Sequence, residues 1–254
     1  MGAKRYLVDP KKRFSSRVEN YIKYRPNYPS KIIDFMMEKK LLKKDSVVAD
    51  IGSGTGILSE LFLKNGNTVY GVEPNNNMRK GAERNLQKYP NFTSIDGSAE
   101  KTNLKNKSID LATAAQAFHW FDVEYTKKEF KRILKPNGSV VIIWNNRIKT
   151  GKEFSSQYEK FIIKYGTDYK EVRKNEKKID QFQRKLQRKV FYNYQDLDFE
   201  GLKGRLLSVS YIPLEGEPKY ETMLEDMYTI FKEYERKGKV RLEYDTEVYY
   251  GKLD

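Results

Sequence analysis

The sequence predicts an α/β fold built on a mostly parallel sheet, and three observations carry that prediction. Short apolar runs (VVADIG, 47–52; NTVYGVE, 67–73; SIDLATAA, 108–115; SVVIIWN, 139–145) alternate with segments of helical periodicity. A glycine-rich turn joins the first run to the first of those helices. The chain also shows no internal repeat. Parallel strands buried on both faces read as continuous Val/Ile/Leu runs, and right-handed βαβ crossovers connect them.

Taken in order, residues 14–44 form a leading segment and a helix whose apolar face is Ile32, Ile33, Phe35, Met36 and Met37. The run 47–52 is a buried strand, TGILSELFLKNG (55–66) a helix closed by Gly66, and 67–73 a second strand ending in an acid. Asn76 or Asn77 caps a helix reaching about Tyr89, followed by strand NFTSID (91–96). Strand 108–115, a helix from about Val123 to Leu134 that stops at KPNG, and strand 139–145 come next. Residues 150–202 are charged and sparsely apolar, with Phe154, Tyr158, Phe161, Ile162 and Tyr165 at helical spacing and a basic stretch over 170–189. They read as a helical lid insertion without a core of its own. RLLSVSYIP (205–213) is predicted as a strand, 219–238 as a helix, and the alternating RLEYDTEVYYGKL (241–253) as a last, antiparallel edge strand. The organisation expected is one domain over 1–254: a covering segment (1–44), a core (45–149), the lid (150–202) and a sheet-completing end (203–254).

Composition narrows the chemistry. The 254 residues include no cysteine and one histidine, which excludes disulfides, thiolate nucleophiles and polyhistidine metal sites. No signal-like or membrane-length apolar run is present, so a soluble, cytoplasmic protein is expected, with no membrane partner. The net charge of +14 is uneven: residues 1–150 carry 28 Lys/Arg against 15 Asp/Glu, and the remainder 21 against 20. Such a bias suits an anionic substrate or nucleic acid, and equally a lysine-rich solvated surface.

The glycine turn DIGSGTG (50–56) follows a strand and opens a helix, so it offers close backbone approach and free N–H groups to a ligand. Its spacing departs from the dinucleotide pattern G-x-G-x-x-G/A, since Ile57 stands where the last small residue belongs. No G-K-[ST] follows, which excludes a P-loop. A nucleoside without a pyrophosphate remains. Glu73, 21 residues after Gly52, ends the next strand where a carboxylate can take a ribose diol. The plainer alternative is a tight strand-to-helix turn, with Glu73 capping a helix.

These motifs, in order with DGSAEKTNL (96–104), SIDLATAAQAFHWFD (108–122) and RILKPNGSVVIIWN (132–145), resemble the class I S-adenosylmethionine-dependent methyltransferases. Within them the sequence is similar to the small-molecule type that includes trans-aconitate methyltransferase-like proteins. The resemblance implies a Rossmann-like, seven-stranded, mostly parallel sheet with helices on both faces. It implies S-adenosyl-L-methionine as cofactor and S-adenosyl-L-homocysteine as product. It also implies that Asp50 and the backbone of Gly52, Ser53 and Gly54 surround the methionine part, that Glu73 binds the ribose, and that Pro74 and Met78 pack on the adenine. Gly97, Ser98 and Ala99 would meet the adenine edge, with Ser98 replacing the family's frequent aspartate. Tyr21 and Arg25, in YIKYRPNYP, would hold the cofactor's carboxylate, or else pack and stiffen an N-terminal segment.

Gln116 ends the fourth strand beside the expected methyl group, and His119 follows in the turn to the next helix. His119 is either a general base or a pocket wall packed on Trp120; a structural role shared across different acceptors favours the wall. The function expected is methyl transfer by in-line displacement to a small molecule at an O-, N- or C-nucleophile. The alternatives are a nucleic-acid methyltransferase, for which no catalytic cysteine or Asn/Asp-Pro-Pro-aromatic motif is present, and a non-catalytic cofactor-binding protein.

Overall fold

The computed structural model describes residues 17–149, 153–167, 179–183 and 185–253. Much of the basic stretch read at 170–189, and residues 14–16 of the leading segment, lie outside them. The elements are α1 (Val18–Tyr24), α2 (Lys31–Glu38), β1 (Val47–Ile51), α3 (Ile57–Lys64), β2 (Thr68–Val72), α4 (Asn76–Leu86), β3 (Phe92–Ile95) and β4 (Ile109–Ala115). They continue with α5 (Val123–Ile133), β5 (Leu134–Arg147), α6 (Glu153–Tyr165), α7 (Ile179–Phe182), β6 (Gln187–Leu197), α8 (Phe199–Leu207), α9 (Tyr220–Tyr234) and β7 (Val240–Gly251). The strands form one seven-stranded sheet in the order β3-β2-β1-β4-β5-β7-β6. The pairs β3-β2, β2-β1, β1-β4 and β4-β5 are parallel. The strand order reverses between β1 and β4, which opens a crevice at their carboxyl ends.

Side-chain partners show the direction of the last two strands. Asn145 meets Thr246 and Trp144 meets Tyr249, while Arg188, Tyr192 and Arg241 pair with Glu247, Glu243 and Asp196. One number rises as its partner falls, so β7 is antiparallel to both neighbours, as the alternation in 241–253 predicts.

The chain divides into two compact units. The core unit comprises Asn27–Asn145, Asn175–Phe191 and Thr246–Asp254. Its strands feed two hydrophobic clusters through their two-residue period. Ala49, Ile51, Val140, Ile142 and Trp144 pack with Phe130 and Ile133 of α5 and Phe182 of α7. Val48, Val141 and Ile143 pack with Ile32 and Met36 of α2 and Leu58 and Phe62 of α3. Helices therefore cover both faces. Local capping agrees with this path: Asn75 Oδ1 accepts from Asn77 and Met78 N at the start of α4, and Asp122 does the same for α5. The strand read at 139–145 begins earlier, at Leu134. A register shift between Ile109 and Leu111 lets KPNG bulge within it.

The helical unit comprises Met1–Pro26, Asn146–Lys174 and Tyr192–Asp245. The apolar stripe of α6 joins Leu202, Leu206, Met223, Met227, Phe231, Leu242 and Tyr244 in a core, so it is more than the coreless cover expected at 150–202. The strand predicted at 205–213 is a second correction, because α8 occupies Phe199–Leu207 and turns follow it. Leu202 and Leu206 are buried one helical turn apart, Asp198 caps the N-terminus through Gly201 N, and Arg17 holds the carbonyls of Leu207 and Ile212 at 2.8 and 2.6 Å. The sheet gains β6 instead, inside the segment read as helical.

Candidate cofactor site

The site lies in the core unit, where the carboxyl ends of β1, β2 and β4 present three turns. Gly52, Gly54 and Gly56 all have positive φ, at 70°, 56° and 85°. At Gly52 a Cβ would lie 2.6 Å from Ala117 Cβ and 3.3 Å from the Phe121 ring. The turn that carries His119 thus packs directly on the glycine loop, and only a glycine fits between them.

The loop spends its N–H groups internally, contrary to the expectation that they are free. Gly52 N and Ser53 N both donate to Val72 O, at 2.8 and 3.2 Å, and Gly54 N donates to Glu73 Oε2 at 3.0 Å. The loop therefore offers close approach rather than an anion cradle. Glu73 is buried, and its other oxygen accepts from Asn75 N at 2.8 Å. Burial raises its pKa, against the two backbone donors and the nearby Arg79 cation. A carboxylate oxygen accepts two hydrogen bonds; among the described residues each of these has used one. One acceptor position per oxygen remains, which matches the two hydroxyl donors of a vicinal diol.

Asp50 is 1% exposed. Its Oδ2 accepts from Ser59 Oγ at 2.7 Å and its Oδ1 from Thr113 Oγ1 at 3.4 Å. Burial pushes its carboxyl up to about 6, and these hydrogen bonds oppose the rise. Met78 is buried beside Gly54, where a Cβ would meet its Cε at 3.3 Å, and Pro74 is half-buried at the end of β2. After β3, Ser98 N donates to Lys101 O at 2.9 Å, and Gly97 allows that turn because a Cβ would strike Thr102 O at 2.8 Å. Ala99 is buried in the core cluster.

Gln116 closes β4 at φ 54°, an uncommon conformation for a side-chain-bearing residue. Its N donates to Ile143 O and its Nε2 to Asn145 O, at 3.0 and 3.2 Å. His119 sits in a single 3-10 turn (Phe118–Trp120), half-buried, with its ring 4.7 Å from that of Trp120. Tyr21 and Arg25 belong to the helical unit, where Arg25 donates to Ser208 O at 2.9 Å and lies 4.7 Å over the Tyr21 ring.

Gly52, Gly54, Glu73 and Gln116 follow the ends of β1, β2 and β4, where the sequence reading puts them, and Met78 lies in the first turn of α4. Sequence reading missed Ser59 and Thr113, which fix Asp50, and Ala117 and Phe121, which seat the loop. Asn75 rather than Asn76 or Asn77 caps α4. A hydroxyl or a small residue carries no motif, so only the three-dimensional path reveals these roles.

The comparisons agree with this architecture. Residues 49–142 match the family model described as a methyltransferase domain. The chain is 34% identical over 140 residues to an uncharacterized methyltransferase-like protein of Schizosaccharomyces pombe, covering 55% of this chain and 54% of that one. It is 33% identical over 134 residues to an uncharacterized methyltransferase of Mycobacterium tuberculosis, covering 53% and 52%. The chain thus spans about half the length of the curated relatives it matches. A proposed type II methyltransferase from Anaeromyxobacter dehalogenans shares the fold at TM-score 0.67 and 17% identity, over 91% of this chain and 98% of that one. A proposed S-adenosyl-L-methionine-dependent methyltransferase from Methanococcus maripaludis does so at TM-score 0.52 and 21% identity, over 71% and 86%. The strand order, the glycine loop followed by an acid at the end of the next strand, and the matched model agree: residues 49–142 form a methyltransferase domain on a Rossmann-like, seven-stranded sheet.

Proposed function

We propose that the protein transfers a methyl group from S-adenosyl-L-methionine to a small-molecule acceptor by in-line displacement, with S-adenosyl-L-homocysteine as product. The observation that carries this reading is Glu73, a buried carboxylate with one acceptor position left on each oxygen beside a glycine loop that permits close approach. The cofactor supplies the activated methyl group on its sulfonium sulfur. The protein's task is alignment and exclusion of water, and alignment alone supplies several powers of ten in rate.

In this reading Glu73 accepts from both ribose hydroxyls. Gly52, Ser53 and Gly54 give the methionine part its path, and Asp50 underpins the loop through Ser59. Pro74 and Met78 flank the adenine, whose edge meets Gly97, Ser98 and Ala99. Gln116 lines the methyl side, its left-handed backbone held by the carbonyl of Ile143. For Tyr21 and Arg25 as cofactor ligands, the support is the sequence resemblance alone. His119 acts as pocket wall: its ring packs on Trp120, and its turn abuts Gly52 through Ala117 and Phe121. An acceptor that is already ionised needs no base.

The test is transfer of labelled methyl from S-adenosyl-L-methionine into a small-molecule extract and, in parallel, into RNA. Label in the small-molecule fraction, retained in His119→Phe, supports the reading. Label confined to RNA would replace the acceptor class, and cofactor binding without any transfer would leave a binding protein.

A further inference from the structure

Strand β6 (Gln187–Leu197) ends the sheet order, so among the described residues its outer edge pairs with no strand. Its eleven residues include no proline, the residue that most simply blunts an edge. An edge of this length presents a row of backbone donors and acceptors to any strand of matching chemistry. Tyr194 N donates to the side chain beside it, Asn193 Oδ1, at 2.9 Å. That turns Tyr194 to the open side. Residues two apart on a strand share both face and hydrogen-bonding edge, so Arg188, Val190, Tyr192 and Asp196 turn the same way.

All five of these residues are exposed. Val190, Tyr192 and Tyr194, at 37, 53 and 48%, are three of the six exposed large apolar side chains among the described residues. The opposite face packs inward instead, with the Phe191 ring 5.5 Å from that of Phe35. Apolar exposure gathered on one edge strand marks a contact surface, whereas scattered single residues would need no explanation.

The order of the five selects the occupant. Arg188, Val190, Tyr192, Tyr194 and Asp196 are self-complementary about Tyr192. An antiparallel second copy sets Arg188 opposite Asp196, Val190 opposite Tyr194, and Tyr192 opposite itself. Each pair is then opposite in charge or apolar, and every member faces the seam, as hydrogen-bonded pairs require. The charges behind the seam keep the alternation: Arg188 pairs with Glu247, and Asp196 accepts from Arg241 at 2.6 and 2.7 Å. A partner of uniform charge would meet a like charge at one end of the strand. We propose that the protein forms a two-fold dimer in which β6 pairs antiparallel with β6 of a second copy, centred on Tyr192. Because all five residues stand on one strand, the register follows from its period alone.

Analytical ultracentrifugation of the full chain over a concentration series compares wild type, Arg188→Asp, Asp196→Arg, an equimolar mixture of these two variants, and Tyr192→Lys. Wild type dimerises. Arg188→Asp opposes two acids at both ends of the seam and Asp196→Arg opposes two arginines, so each alone weakens dimerisation by at least about ten-fold. The mixture restores it, because one copy then presents two acids to two arginines of the other. Tyr192→Lys retains Glu243, which now accepts from the tyrosine hydroxyl at 2.6 Å, as a partner and sets like charges together on the two-fold axis. It dimerises as weakly as the other variants, and serves if either of them fails to show a cooperative thermal transition. A wild type that stays monomeric overturns the proposal; slow amide exchange at Val190 and Tyr192 in that monomer would give the edge to another segment of this chain. A dimer that the variants leave intact, or a mixture no tighter than its components, overturns it as well.

Discussion

Asp50 shows at residue scale how the loop's foundation responds to pH. Its folded-state carboxyl titrates at about 6 rather than 3.8, so the folded chain holds that proton more tightly than the unfolded one. Its contribution to stability therefore declines as pH rises from about 4 through about 6, by ~3 kcal/mol for a shift of this size. Denaturant unfolding of wild type and Asp50→Asn between pH 4 and 7 checks this: the substitution should flatten the dependence, and an unchanged slope would assign it elsewhere. Gly52→Ala tests the loop's second demand. A Cβ there meets Ala117 at 2.6 Å in a backbone with φ 70°, for an expected cost of about 2–4 kcal/mol in unfolding free energy together with weaker cofactor binding. The glycines and Glu73 were legible in the sequence because their spacing is set by the turn. Ser59 and Thr113 were not, because a hydroxyl near an acid is recognised only by proximity.

At the scale of elements, the packing of α1 on α8 depends on a missing side chain. A Cβ at Gly204 would lie 2.1 Å from the Tyr24 ring, so Gly204→Ala must displace that ring at a cost of about 1–3 kcal/mol. The midpoint shift should shrink in Gly204→Ala/Tyr24→Ala, where the overlap is gone; equal destabilisation in both backgrounds would locate the effect in α8 itself. The same helix marks where sequence reading failed. RLLSVSYIP alternates well enough for a strand, yet Leu202 and Leu206 serve a helix equally, and Asp198 and Arg17 cap it from outside the motif. In β6, by contrast, both faces carry polar or half-exposed side chains, so the period-2 signal is faint. Burial on both faces made β1, β2, β4 and β5 plain.

For the whole molecule, the comparisons establish a methyltransferase domain while the acceptor remains a proposal. Among the described residues, no helix is long and apolar enough to cross a membrane. The net charge of +14 predicts weak RNA association at low salt that disappears near physiological salt, since phosphate contacts are lost steeply as counterions compete. Filter binding across a salt series checks this; salt-resistant binding would favour a nucleic-acid acceptor. The central claim is cofactor recognition through Glu73, and calorimetric titration with S-adenosyl-L-methionine, S-adenosyl-L-homocysteine and NAD tests it most directly. Wild type should bind both sulfur nucleosides and not NAD, and Glu73→Ala should lose at least about ten-fold in affinity while remaining folded. A folded wild type that binds neither sulfur nucleoside, or a Glu73→Ala that binds them undiminished, would contradict the account.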